Sequence, residues 1–355
     1  MARLEPSPSQ TSAAPLSRTT PALLDVASGE PLVEIPCDLC GKQADHAYGI
    51  PADAQRPDAE GKWDLRWCEN CSYGFLWPRP EAREVPEFYA IQDYYTHSPD
   101  GGWAPIPKSL LDRARIHLAW RRDRGVPMDH EGLRANFGQE APTLCEIGCG
   151  SGADLEAFAR VGFVPLGVDP DAAARSAASE RNQHAVDGTL EDLPPELAER
   201  QFDLVLLSHV LEHGLDIHKA IAGLRNLIAP GGLLVVEVPN HSSLGYQRAK
   251  ASWAFTDAPR HLNFFTPESL ESALCSHGFE VVTRDFYGYC RQFSNEWVEA
   301  ERRIREVLEP TSSLTRPLAS KWESWKLLAQ TAFAKPELKY DSVRLTLRVQ
   351  QEAAR

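Results

Sequence analysis

Four cysteines stand in two C-x-x-C pairs, Cys37/Cys40 and Cys68/Cys71, with 27 residues between the pairs. Two such knuckles bring four thiolates to one tetrahedral zinc ion, and a four-sulfur site is structural because no coordination position is left for a substrate. A glycine-rich turn follows later, Glu146, Gly148, Cys149, Gly150 and Gly152, with Asp169 placed 21 residues after Gly148. Glycines allow a ligand to approach main chain that a Cβ would block, and an acidic residue at that distance suits the hydroxyls of a ribose. Alone, the turn specifies a nucleotide-like ligand and leaves a nicotinamide dinucleotide open. Four histidines could act as a base near neutral pH: His209, His213, His241 and His261. His209 and His213 are four apart with Glu212 beside them, a spacing that on a helix can also ligate a metal. Arg260 suits an anionic group, and Tyr94, Tyr95, Trp103, Trp253 and Phe255 could stack on a ring.

These groups must be positioned by elements that the pattern also predicts. From Thr143 onward strand-like and helix-like stretches alternate. Strands are expected at TLCEI, VPLGVD, FDLVLLS and LLVVEVP, with helices over 153–161, 171–181, 216–229 and 267–277. Such alternation implies an α/β fold, a parallel sheet covered by helices on both faces, with ligands at the strand C-termini. The domain reading is a disordered tail over 1–30, a zinc-ribbon module over 31–80 and a Tyr-rich segment with a cap helix over 81–130. A Rossmann-like domain over 131–289 follows, then a helical insertion over 290–338 and a final strand over 339–355. The cap helix, 108–124, carries Leu110, Leu111, Ala114, Leu118 and Ala119 at helical spacing. Ser342–Val349 alternates as a strand that returns to the sheet.

The chain has 355 residues, 43% of them hydrophobic, enough for one large domain with additions. A net charge of −13 without a long basic run argues against a nucleic-acid partner. No stretch has the apolar length of a bilayer-crossing helix, and the N-terminus lacks the apolar core of a secretory signal. A cytoplasmic protein with no membrane partner is expected, where free thiols persist. Cys145, Cys149, Cys275 and Cys290 do not pair by spacing and read as packed or pocket-lining thiols. Tyr246 and Lys250 form Y-x-x-x-K, a spacing shared with short-chain dehydrogenases, but they follow the fifth strand of the wrong glycine pattern.

Combined over residues 141–285, Glu146, the G-x-G-x-G turn, Asp169, Phe202–Val205 and Pro230-Gly231-Gly232 resemble the class I S-adenosylmethionine (SAM)-dependent methyltransferases. The resemblance implies SAM as cofactor, Glu146 and the glycines near its amino-acid end, and Asp169 at the ribose. It places Gly188, Thr189, Leu190 and Glu191 along the adenine, and Ser208 and His209 near the methyl group. Thr189 stands where family members often carry Asp. With the four cysteines and Trp77–Pro80 included, the chain is similar to bacterial zinc-ribbon methyltransferases of sugars, polysaccharide precursors and natural products. In the sugar C-methyltransferases a Tyr-x-Glu-His segment carries the proposed base. His261 matches its His, while Ala258 and Arg260 depart from the Tyr and Glu. The expectation is C- or O-methylation of a small-molecule acceptor, with His261 and His209 at the chemistry and Arg260, His241 and Tyr95 toward the substrate. Two further readings stay open: an RNA or protein methyltransferase, and a non-catalytic scaffold with a relic SAM fold.

Overall fold

The computed structural model describes residues 34–89, 91, 106–197 and 199–350. The expected tail over 1–30, and Tyr94, Tyr95 and Trp103, lie outside the described residues. The chain divides into two compact units, Met1–Ile35 and Pro36–Arg355. Strand β1 (Ile35–Pro36) spans their boundary, and the elements after it belong to the second unit. Its strands are β2 (Gln43–Ile50), β3 (Trp63–Cys68), β4 (Tyr73–Trp77), β5 (Thr143–Ile147), β6 (Val164–Val168) and β7 (Ala185–Val186), then β8 (Phe202–Ser208), β9 (Ile228–Pro239), β10 (Asn263–Phe265), β11 (Phe279–Tyr287) and β12 (Ser342–Val349).

Seven strands form the main sheet in the order β11-β12-β9-β8-β5-β6-β7. The near-continuous apolar runs of β5, β8 and β9 are those of strands buried on both faces. Leu144, Leu204, Leu206, Leu233 and Val235 pack with Phe158 and Phe163 into one core. Each such side chain stabilises the fold by roughly 1.5–3 kcal/mol. Helices Ala153–Arg160, Ala172–Glu180, Ile217–Leu227 and Pro267–Ser276 connect the strands. Asp171, Asp216 and Thr266 cap three of them by accepting main-chain N–H bonds.

The alternation predicted a parallel sheet, and β12 departs from it. It runs antiparallel between β9 and β11, with Ser342 opposite Pro239 and Arg348 opposite Leu233. The helical insertion delivers the chain to the C-terminal end of β9, so the last strand can only run back. That insertion consists of helices Asn295–Leu308 and Pro317–Thr331. Its Trp297 packs against Trp253 and Phe255, which sets it over the side of the sheet that carries the histidines.

The four-cysteine segment folds as an antiparallel meander, β2-β3-β4, whose sheet continues into β10. Asn263 lies opposite Phe75, and the Leu76 N–H donates to the Leu262 carbonyl.

The cap helix forms at Leu110–Arg122, with Ser109 and Asp112 in a capping box. Of the apolar residues at helical spacing, Ala119 alone turns inward. Asp112, Arg115 and Ala119 are buried, while Leu110, Leu111 and Leu118 are exposed. The helix sits on a polar cradle: Arg115 donates to the Phe293 carbonyl and Asn295 Oδ1, and Lys321 reaches Asp112 at 2.8 Å. Among the described residues no helix is long and apolar enough to cross a membrane.

Candidate functional site

The glycine turn joins β5 to helix Ala153–Arg160. Gly148, Gly150 and Gly152 all have positive φ, a conformation costly for other residues. Space sets a further constraint at two of them. A Cβ on Gly148 would lie 2.3 Å from Val210 Cγ2, and one on Gly152 would lie 2.9 Å from Ala178 Cβ. Around the Gly150 position there is open space instead, which is where a ligand can come against the main chain. Asp169 ends β6 and ties two loops together, accepting from Gly150 N at 2.8 Å and Asp171 N at 2.9 Å. Burial raises its pKa above the ordinary carboxylate range, against the pull of those two N–H donors.

Glu146 is buried with Oε2 lacking a partner. Burial, and then the charges of Asp154 and Asp169, push its carboxyl well up. An unpartnered buried carboxylate oxygen calls for a cation or donor, and the ammonium of an amino-acid ligand would supply one. Glu146, Gly148, Gly150, Gly152 and Asp169 could therefore hold the ribose and amino-acid end of SAM. Cys149 contributes only main chain, because its side chain is packed in the core beside Leu155. Leu190 is buried, and the Thr189 hydroxyl accepts from Asp192 N, closing its own loop. Ser208 ends β8, beside Glu237 on β9.

Beyond the C-termini of β8 and β9 lies the histidine side. His209 has φ +56°. Its Nδ1 faces Glu212 at 3.3 Å and its Nε2 faces Glu237 at 3.3 Å. Burial lowers its pKa, but the two carboxylates outweigh that and take it up to about 9. Both nitrogens thus face carboxylates, and the ring packs at a tilt against Phe255 with centroids 5.0 Å apart. His209 is thereby placed between two acids at the C-terminal ends of β8 and β9.

His261 is buried, and its Nδ1 lies 2.8 Å from the Phe255 carbonyl. A carbonyl only accepts, so Nδ1 carries the proton and the lone pair sits on Nε2, which has no partner. Burial, then the His213 ring beside it, lower its pKa to about 4. His213 packs edge-on to His261 at 4.6 Å, with its Nδ1 near Tyr89 Oη and the Arg260 carbonyl. One donor atom from each of Glu212, His213 and His261 falls within 4.8 Å of the others. This group could hold a divalent cation as well as relay a proton.

Two expectations about the substrate side are corrected. Arg260 does not point at an acceptor: its guanidinium is saturated by Asp53 at 2.8 and 3.0 Å, by Asp257 and by the Phe88 carbonyl. His241 is not on the rim. It is walled by Tyr246, Trp253 and Phe264, and burial takes its pKa down to about 3. The motif reading did not include Glu237, Arg344, Arg291 and Asp341. Arg344 donates to Glu237 at 2.8 Å, and Arg291 pairs with Asp341 at 2.7 Å while lying over Phe255. One signal was available: Glu237 is the sole charge in the apolar run LLVVEVP.

Cys37, Cys40, Cys68 and Cys71 meet at one point. Cys37 and Cys71 Sγ are 3.6 Å apart, as are Cys40 and Cys68, and all four lie within 4.8 Å. Four sulfurs at ~2.3 Å from a tetrahedral zinc stand about 3.8 Å apart, so the cluster could hold that ion. Each knuckle is closed by a left-handed residue, Gly41 and Ser72.

The strand order, the reversed last strand and the glycine turn with its acidic partner define the Rossmann-like class I methyltransferase fold. The family described as "Methyltransferase domain" matches residues 119–284. A ubiquinone biosynthesis O-methyltransferase of Rhodopseudomonas palustris is 33% identical over 214 residues, 57% of this chain and 81% of that protein. Proteins of the same name from Chelativorans sp. and Bradyrhizobium sp. are 30% and 29% identical, covering 83% and 87% of their own lengths. The chain belongs to the SAM-dependent methyltransferases, and it is an enzyme of that family.

Proposed function

We propose that the enzyme methylates an oxygen of a small hydroxylated molecule, seated between the glycine turn and the histidine side. One observation carries the reading: a buried imidazole, His261, with an unpartnered Nε2 and a ring nitrogen within 4.8 Å of an oxygen of the buried carboxylate Glu212. Such a nitrogen accepts the hydroxyl proton as oxygen attacks the methyl group, and Glu212 stabilises the imidazolium formed. The O-methyltransferase names of the relatives favour oxygen over carbon. Sugars, polysaccharide precursors and natural-product intermediates are the acceptors to screen first, and transfer to carbon is an outcome of that screen.

Within this reading Glu146, the three glycines, Asp169, Leu190, Ser208 and the Thr189 loop contact SAM. His209 acts as a positioning residue through Glu212. The four cysteines hold a structural zinc. The test is methyl transfer from labelled SAM to a panel of hydroxylated small molecules. His261→Ala is expected to keep SAM affinity and lower kcat by 10²–10⁴-fold. Transfer at the wild-type rate would overturn the base assignment. For the zinc, metal analysis of wild-type protein is expected to give one zinc per chain, lost on substituting Cys37 and Cys68 by Ser. Zinc retained in that variant would refute the four-thiolate site.

A further inference from the structure

The described chain exposes few large apolar side chains, and seven of those twelve belong to one place. They stand on helix Leu110–Arg122 and on the segment made by helix Pro317–Thr331 and Phe333. Leu110 and Phe333 are 83% and 84% exposed, and Trp120 and Trp322 are 67% and 64% exposed. The two segments lie side by side in the same direction: Asp112 meets Lys321 near one end, and the Arg122 guanidinium lies 4.4 Å from the Phe333 ring near the other. The exposed Leu, Trp and Phe side chains therefore stand on neighbouring elements. Both segments fall outside the family match at 119–284 for most or all of their length.

The charge on this face is the reverse of the chain's. Residues 106–124 and 316–335 hold ten basic and three acidic side chains, net +7 in a chain of net −13. None of the three acids is exposed: Asp112 is buried under Lys321, and Asp123 and Glu323 are half-buried. Exposed Lys108, Arg113, Arg121, Arg122 and Arg124 frame the first helix, and Arg316, Lys326 and Lys335 frame the second. We infer that this face binds the surface of an anionic lipid bilayer, with Leu, Trp and Phe entering the headgroup boundary and the basic residues meeting lipid phosphates. A second copy of the chain is disfavoured by the same charges, since a two-fold pairing would set +7 against +7. A nucleic acid would use the arginines but leave Leu110, Leu111 and Leu118 without a partner. Composition alone points away from membranes, because the average conceals where the positive charge sits. The inference is independent of the acceptor and of the His261 assignment.

The full chain would be sedimented with vesicles of pure phosphatidylcholine and of phosphatidylcholine containing phosphatidylglycerol. Binding to the anionic vesicles, weakened by salt, is the expected result. The variants Trp120→Ser/Trp322→Ser and Arg113→Gln/Arg121→Gln should each lower it by on the order of tenfold, with SAM affinity unchanged as the check on folding. Absence of binding to anionic vesicles overturns the proposal, as does binding indifferent to both variants. A wild-type dimer that the Trp variant converts to monomer would reassign the face to self-association. Binding to RNA without binding to vesicles would reassign it to nucleic acid.

Discussion

The proposed cofactor side and the proposed acceptor side of the site are built on opposite principles. The cofactor side is made of main chain: three left-handed glycines, an aspartate that accepts two loop N–H groups, and one buried glutamate with an open oxygen, all between residues 146 and 171. The acceptor side is made of side-chain charge. Glu212, Glu237 and Asp341 are offset by His209, Arg344 and Arg291, drawn from four separate stretches of chain. A main-chain cradle tolerates little change at its few positions. A side-chain network can be rewired residue by residue, which lets one fold keep SAM while acceptors vary.

The largest test of this contrast is Arg260→Met. It leaves Asp53 and Asp257 buried without their cation, and breaking such a pair costs about 3–5 kcal/mol. Chemical denaturation should show that loss, with SAM affinity of the folded protein unchanged. A drop in SAM affinity without a loss of stability would mean that the two sides are not separately built. Next, Asp169→Ala should weaken SAM binding by on the order of 100-fold in calorimetry, because charge-assisted hydrogen bonds contribute roughly 1.5–3 kcal/mol each. Since burial raises the pKa of Asp169, SAM affinity should also fall on acidification at a higher pH than an ordinary aspartate would give. A Gly148→Ala change should cost about 1–2 kcal/mol for the left-handed backbone alone, plus displacement of Val210, read as a lower melting temperature.

A smaller effect concerns pH. Burial raises the Glu237 carboxyl, but His209 and Arg344 outweigh it and hold its pKa at about 2, below the usual 4.5. A depressed carboxylate contributes stability that is full above its unfolded pKa and lost as pH falls toward the folded one. The gap in melting temperature between wild type and Glu237→Gln should therefore narrow between about pH 4.5 and 2. A gap constant across that window would show that the pair is not ionised in the fold. The smallest effect belongs to Thr189→Asp. Its hydroxyl only closes a loop with Asp192, so SAM affinity should change by less than about threefold, within the range of a surface substitution.

The contrast also explains what the sequence made legible. Glu146, Gly148, Gly150, Gly152 and Asp169 are close in the chain, and the glycine types follow from backbone geometry, so spacing sufficed to read the turn they form. The meeting of the four cysteines was readable because two C-x-x-C pairs at this separation have the spacing of one four-sulfur site. Arg260 was misread because a buried arginine and a ligand-binding one look alike until Asp53, 207 residues away, is seen against it. His209 likewise needed Glu237, whose pairing depends on β8 and β9 lying side by side. The cap helix itself was legible, but not which of its faces is buried. Helical periodicity marks which residues share a face, but Arg115 and its carbonyl partner at Phe293 decide which face turns inward.

The pairing of β4 with β10 ties the thiol cluster to the segment that follows His261. The strand leaving the knuckle at Cys71 is laced to the segment that begins two residues after His261. Oxidising or stripping those four sulfurs would slacken that lacing and let the imidazole drift, while the cradle at Gly150 stays as it is. Under the role proposed for His261, such damage would be recorded as a fall in turnover at constant cofactor affinity.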